Sequence, residues 1–376
     1  MGATIDESQE KKSGIRPIVL IISILILVSY SIIQTYFFRQ NISSIHVDDQ
    51  SSYIIDVFYY MEIGERVWLS QVGGISDIIY LSNQYSPNID SRGIVYINSI
   101  LHYFFRSQSA VAIANTLIFI SIFYVASGRN FSSKSLLFSI FLCGLAPYIL
   151  LPSKESYMAM GYILIIHGLR RTYGWSWVGL GLLLLFVARP QSAGIASLAL
   201  LFAVAKDKRQ IMLLMLMCAG IYFFLREDLK SSSMLVEYQS ESRLEGFSCS
   251  YLGINVCLQN SIYEISVIKR FFFLIITPLK WPFDLVSSLI QVDAIQIFIK
   301  ISLVIAAFNL LIMVFRRSLL FSDLQSKFAL IFSVLYIFGY AMYAFYQPSR
   351  QVATAIYFLL TVPLFRNLVD NRSGRS

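Results

Sequence analysis

The sequence predicts an all-α, polytopic integral membrane protein, and three observations carry that prediction. Of 376 residues, 56% are hydrophobic and 14% charged, against roughly 45–50% apolar and about 25% charged in a soluble domain. The excess is gathered into long runs, which raises the mean hydropathy to +0.64. Basic residues, in turn, collect in alternate loops between those runs, as the positive-inside effect requires of cytoplasmic loops.

The first run, PIVLIISILILVSYSIIQTYFF (17–38), matches the ~20 apolar residues needed to cross ~30 Å of hydrocarbon. Lys11, Lys12 and Arg16 precede it and no small-residue cleavage site follows, so it reads as an uncleaved signal anchor with residues 1–16 as a cytoplasmic tail. Further runs lie at about 109–127, 135–152, 156–169, 175–188, 191–205, 211–225, 292–315, 327–346 and 351–365. The expected architecture is one membrane domain over 17–365 with about ten to eleven transmembrane helices. A re-entrant or interfacial segment and amphipathic outer helices complete it, and 366–376 form a cytoplasmic tail.

Loop charges fix the expected sidedness. GRNFSSK, GLRRTYG, KDKRQ and RRSLLFSDLQSK hold 2, 2, 3 and 3 basic residues against 0, 0, 1 and 1 acidic. Segment 39–108 holds 4 basic and 7 acidic residues, and segment 226–270 holds 5 and 6; both are expected in the periplasm. The alternation closes when 270–291 enters and leaves on the outer side. Pro278, Lys280, Trp281, Pro282 and Asp284 suit such a re-entrant or interfacial element, because proline removes backbone donors and a Lys–Asp pair fits badly in lipid. The alternative is a full span kinked at the prolines, which would put RRSLLFSDLQSK outside.

The runs 156–169 and 175–188 are short, ~21 Å each at 1.5 Å per residue, so they are expected to start below the outer surface. PSKES (152–156) reads as a helix start, with Pro152 in the first turn and Glu155 at the positive end of the dipole. Asp56–Leu69 and Gly93–Phe105 mix apolar and polar residues at helical spacing and are expected as amphipathic helices at the outer interface.

Several function classes are disfavoured. The net charge of +8 sits in short loops, so no nucleic-acid partner is expected. His46, His102 and His167 are scattered, and no CxxC, HExxH, GxSxG or P-loop occurs, so neither a metal nor a soluble-type hydrolase or NTPase is expected. Cys143 and Cys218 fall inside runs as packing residues, whereas Cys249 and Cys257 share an outer loop. There they could pair as a disulfide or stay as two thiols.

Sorted by side, the charges at run ends concentrate outside: Asp48 and Asp49, Lys154 and Glu155, Arg189, Lys269 and Arg270, Lys280, and Arg350. Taken singly, each is equally well explained by a structural salt bridge or by snorkelling to the interface. As a set, guanidinium and ammonium groups suit a phosphate or pyrophosphate, and neighbouring carboxylates suit a general base that deprotonates a sugar hydroxyl.

On these residues a family resemblance rests. DDQSSY (48–53) resembles the acidic first-loop motif of GT-C-type membrane glycosyltransferases. PSKES, RPQS (189–192), TPLKWPFD (277–284) and SRQVATAIYFLLTVP (349–363) resemble the pattern of O-antigen and capsule repeat-unit polymerases of the Wzy type. The resemblance implies polymerisation of undecaprenyl-pyrophosphate-linked repeat units at the periplasmic face of the bacterial inner membrane, without a cofactor. Its partners would be membrane lipid, the lipid-linked glycan and a chain-length regulator. Carried over by position, Arg189 and Arg350 would hold pyrophosphate, with Arg270 and Lys280 as further phosphate ligands. Glu155, Asp48 or Asp49 would be the base, and Lys154 would tune it or bind phosphate. No second acidic motif follows the first-loop acids, which favours a metal-free reaction. Two alternatives stay open: a GT-C glycosyltransferase using a polyprenyl-phosphate sugar, and a transporter of lipid-linked glycan. A transporter would place charges deep in the spans, and most runs here are clean in their middles.

Overall fold

In the computed structural model, the residues described are 15–41, 52–70, 73–85, 89–128, 131–171, 174–205, 267–291, 294–315, 323–343 and 348–366, with a few shorter pieces between 207 and 255. Apart from a two-residue antiparallel ladder, Ser250–Tyr251 with Ile254–Asn255, the elements among them are helices. They are α1 (Ile15–Asn41), α2 (Ser52–Leu69), α3 (Ile75–Tyr85), α4 (Ile89–Phe105), α5 (Gln108–Ser127), α6 (Ser133–Phe141), α7 (Lys154–Leu169), α8 (Trp175–Ala188) and α9 (Pro190–Val204). After the ladder come α10 (Val267–Gln291), α11 (Ala294–Phe315), α12 (Leu324–Tyr343) and α13 (Pro348–Arg366).

Among the described residues, four stretches, Ile18–Phe37, Gln108–Ser127, Gln296–Phe315 and Leu324–Ala341, are long and apolar enough to cross a membrane. Large apolar side chains point outward along α1 (Ile18, Ile22, Leu25, Ile33) and α11 (Phe308, Leu311, Phe315), a surface that suits lipid and would be a liability in water. The helix ends agree with the sequence expectation within a few residues for α5, α7, α8, α9, α11, α12 and α13. Most of the expected run at 211–225 lies outside the described residues.

At the centre stands α7, flanked by α5, α8 and α13. Every residue from Cys143 to Gly168 is buried, which matches a helix that is apolar all round. Its contact with α8 is made by glycine. A Cβ on Gly181 would fall 2.5 Å from the Gly161 carbonyl oxygen, and one on Gly168 2.6 Å from that of Gly174. The pairings 161–181 and 168–174 run in opposite directions, so the two short helices lie antiparallel, with backbones as close as small residues allow.

Two expectations are corrected. The run 135–152 is not one helix: α6 stops at Phe141 and the chain continues irregularly to Ser153, buried from Cys143 onward. Gly144, at φ 87°, takes the left-handed turn that an L side chain resists, and its Cα approaches Ala306 too closely for a Cβ. Irregular backbone away from water requires internal partners, and side chains supply them carbonyl by carbonyl. Asn309 donates to Leu142 O, Tyr30 to Ala146 O, Gln34 to Pro147 O, Asn115 and Thr116 to Leu150 O, and Asn98 to Pro152 O. Gly144 and Pro147 were the sequence signal for this break.

The second correction concerns 270–291. Val267–Gln291 is one continuous helix through both Pro278 and Pro282, so the chain makes no re-entrant reversal there. At 25 residues it is ~37 Å long. Phe272, Ile275, Leu279, Phe283, Val286 and Ile290 form an outward apolar stripe at helical spacing, while Leu274, Thr277, Trp281 and Ser288 are buried. Prolines are tolerated inside such helices when neighbours satisfy the freed backbone groups.

Candidate functional site

The start of α7 is built from PSKES. Ser153 is the N-cap, with extended backbone and a hydroxyl that accepts from Ser156 N at 3.0 Å, an arrangement that satisfies one of the helix's unpaired N–H groups. Pro152 therefore precedes the cap instead of occupying the first turn. Ser156 donates back to Ile149 O at 2.7 Å, and Asn115 donates to Ser156 Oγ at 3.1 Å. The irregular segment and the cap thus lock together, and this lock sets the position of Lys154 and Glu155.

Glu155 is fully buried and meets Arg350, the third residue of α13. Arg350 Nε donates to Glu155 Oε1 at 2.7 Å and Nη2 lies 2.5 Å from the same oxygen. Arg189 is the single extended residue between α8 and α9 (φ −165°, ψ 103°), as expected of a residue before proline. It is buried too. Its Nη1 donates to Gln351 Oε1 at 3.5 Å and its guanidinium stands 5.4 Å from the centre of the Tyr340 ring, a cation–π distance. Tyr336 donates to Gln351 Oε1 at 2.8 Å and lies within electrostatic range of Arg189, Glu155 and Arg350. Ser192 of α9 reaches Met158 Sδ of α7 at 3.9 Å. The start of α7, the α8–α9 joint, the start of α13 and the second half of α12 therefore converge on one buried polar cluster.

An outer layer covers it. Lys154 Nζ lies 5.4 Å from the ring centre of Tyr60 on α2. A Cβ on Gly93 of α4 would clash with Val187 O at 1.9 Å, so α4 rests directly on the end of α8 beside Arg189. Its Asn98 donates to Pro152 O at 3.3 Å, and its Ile94, Val95, Ser99 and His102 are buried. The second amphipathic segment is thus packed into the protein as well as helical. Beneath the cluster, Tyr162, Phe328, Phe332 and Phe358 stack with centroids 4.6–6.0 Å apart.

Of the residues singled out in the sequence, Glu155, Arg189 and Arg350 come together, and Lys154 adjoins them in the chain. Lys280 lies 3.8 Å from Asp284, one turn along its own helix. Arg270 lies in the first turn of α10, with its side chain outside the described residues, as are Asp48, Asp49, Cys249 and Cys257. Cys143 is a buried free thiol. Among the described residues no group of His, Cys, Asp and Glu could hold a metal ion. Gln351, Tyr336 and Tyr340 were missed in the sequence, although Gln351 adjoins Arg350. No protein-family model matches the chain, and neither curated proteins nor solved structures give a match. Chemically, the cluster offers two buried guanidinium groups and one carboxylate, which suits an anion and a proton acceptor in one place.

Proposed function

We propose that this protein is a multi-pass glycosyltransferase of the bacterial inner membrane that polymerises undecaprenyl-pyrophosphate-linked repeat units into O-antigen or capsule at the periplasmic face. The observation that supports this reading is the meeting of PSKES, RPQS and SRQ, elements up to 195 residues apart, in one buried cluster around the Glu155–Arg350 pair. Arg189 and Arg350 bind the pyrophosphate of the donor. In the resting pair, Arg350 occupies the Glu155 carboxylate. When the pyrophosphate draws Arg350 away, the Glu155 carboxylate is freed to accept the proton of the acceptor hydroxyl. The hydroxyl oxygen then bonds to the anomeric carbon, the bond from that carbon to phosphate breaks, and undecaprenyl pyrophosphate leaves. Asp48 or Asp49 is the alternative base.

The test is deletion of the gene in its native bacterium, followed by gel analysis of surface polysaccharide and complementation with wild type, Glu155→Gln and Arg189→Ala. Loss of the long-chain ladder to single-repeat glycans, unrestored by variants that insert normally, is the expected result. A ladder that survives deletion would end the polymerase reading, and a uniformly altered repeat would point to a GT-C glycosyltransferase.

A further inference from the structure

Gln351 carries chemistry that the ion pair does not account for. It is 1% exposed, and its side-chain amide is held by two groups on the same atom: Oε1 accepts from Tyr336 Oη and from Arg189 Nη1. A guanidinium has donors only, so the amide cannot be turned over, and Oε1 must face Arg189. The other head, Nε2, is then a fixed donor beside that guanidinium. It has no hydrogen-bond partner among the described residues. Leaving a buried donor unpaired is costly, and a group of this kind calls for an explanation such as an absent ligand.

Resting on the reading above, we propose that Gln351 Nε2 is a binding donor of the anion subsite, hydrogen-bonding a pyrophosphate oxygen of the lipid-linked donor together with Arg189 and Arg350. The neighbours select for this ligand class. The Arg189 guanidinium touches the amide and the Arg350 guanidinium belongs to the same buried cluster, so an incoming acceptor must also be anionic to replace the electrostatic partner that Arg350 gives up. A neutral sugar hydroxyl would satisfy Nε2 but would leave the guanidinium charges uncompensated. Tyr336 acts through Gln351 as a positioning residue, because its hydroxyl donates to the amide oxygen, and Tyr340 stands at a cation–π distance from Arg189.

The experiment uses the full-length protein in detergent micelles, with farnesyl pyrophosphate as probe and inorganic pyrophosphate as competitor. Binding and thermal unfolding are measured for wild type, Gln351→Glu and Tyr336→Phe. Gln351→Glu keeps the acceptor that Arg189 and Tyr336 use and replaces the donor with a carboxylate oxygen. It is therefore expected to unfold no earlier than wild type, yet to bind farnesyl pyrophosphate at least tenfold more weakly. Tyr336→Phe is expected to weaken binding by a smaller factor, since it loosens the amide without removing it. Displacement by inorganic pyrophosphate assigns the contact to the anion; displacement only by an apolar competitor such as farnesol would overturn the anionic assignment. Equal binding by wild type and Gln351→Glu would overturn the role of Gln351 while the polymerase reading stands. Failure of wild type to bind farnesyl pyrophosphate at all would overturn both the subsite and the reading it rests on.

Discussion

Two ion pairs of opposite character define this molecule. Glu155–Arg350 joins the starts of α7 and α13 across 195 residues of chain, with contacts of 2.7 and 2.5 Å and side chains 0% and 3% exposed. Lys280–Asp284 joins neighbouring turns of α10 at 3.8 Å, with side chains 26% and 22% exposed. The first is a product of tertiary packing and sits among other buried polar groups. The second is a product of helix geometry, since residues four apart share a face. A buried pair pays heavily for desolvation and contributes little net stability, yet removing one partner strands the other charge. The value of Glu155–Arg350 therefore lies in holding two helix starts in register.

The largest effect expected follows directly. Glu155→Gln and Arg350→Met should each destabilise the protein by about 3–5 kcal/mol, the range for an orphaned buried charge. The double variant Glu155→Leu/Arg350→Met should recover most of that loss. All three should leave the surface polysaccharide at single-repeat length. Unfolding measured in detergent against denaturant separates the two readouts. If the double variant lost as much as the two singles combined, the pair would be structural ballast and not a registration device.

A middle-sized effect should come from the scaffold that presents Glu155. Asn115 donates to both Leu150 O and Ser156 Oγ, so Asn115→Ala removes the amide that ties the irregular segment to the cap. The expected cost is about 1–3 kcal/mol, the penalty of an unsatisfied buried polar group. Under the polymerase reading, shortening of the polysaccharide ladder should exceed what unfolding alone explains, because the cap sets where the Glu155 carboxylate lies. Thermal unfolding alongside ladder analysis checks this; an unfolding loss with a full ladder would detach the scaffold from the site.

The sequence made part of this legible. Residues 156–169 and 175–188 read correctly as short helices, and PSKES read as a helix start, because helix ends are written in local chemistry. Loop charges were enough to put Lys154, Glu155, Arg189 and Arg350 on one side, and three of them do meet. Their pairing was not legible, since nothing local ties Glu155 to a residue 195 positions away. The irregular stretch 142–153 was hidden for another reason. Its apolar side chains look like a span, while its backbone partners sit on α1, α4, α5 and α11. In α10 the prolines suggested a break, but the continuous apolar stripe from Phe272 to Ile290 is the periodicity of one unbroken helix.

The smallest effect is expected at Lys280, and it sharpens the comparison because the family resemblance implied a phosphate-binding role for Lys280 as well as for Arg350. Lys280→Gln removes one partner of a partly exposed pair within a single helix, where such pairs contribute about 0–1 kcal/mol. The remaining Asp284 is not sealed in as Glu155 is, with 22% of its side chain exposed, and unfolding in detergent should shift little. The polysaccharide ladder then decides the role. An intact ladder would make Lys280–Asp284 a local helix pair with no part in the chemistry. A shortened ladder with unchanged stability would place Lys280 in the anion's path, and its distance along the chain from Arg350 would then measure how far α10 contributes to the site.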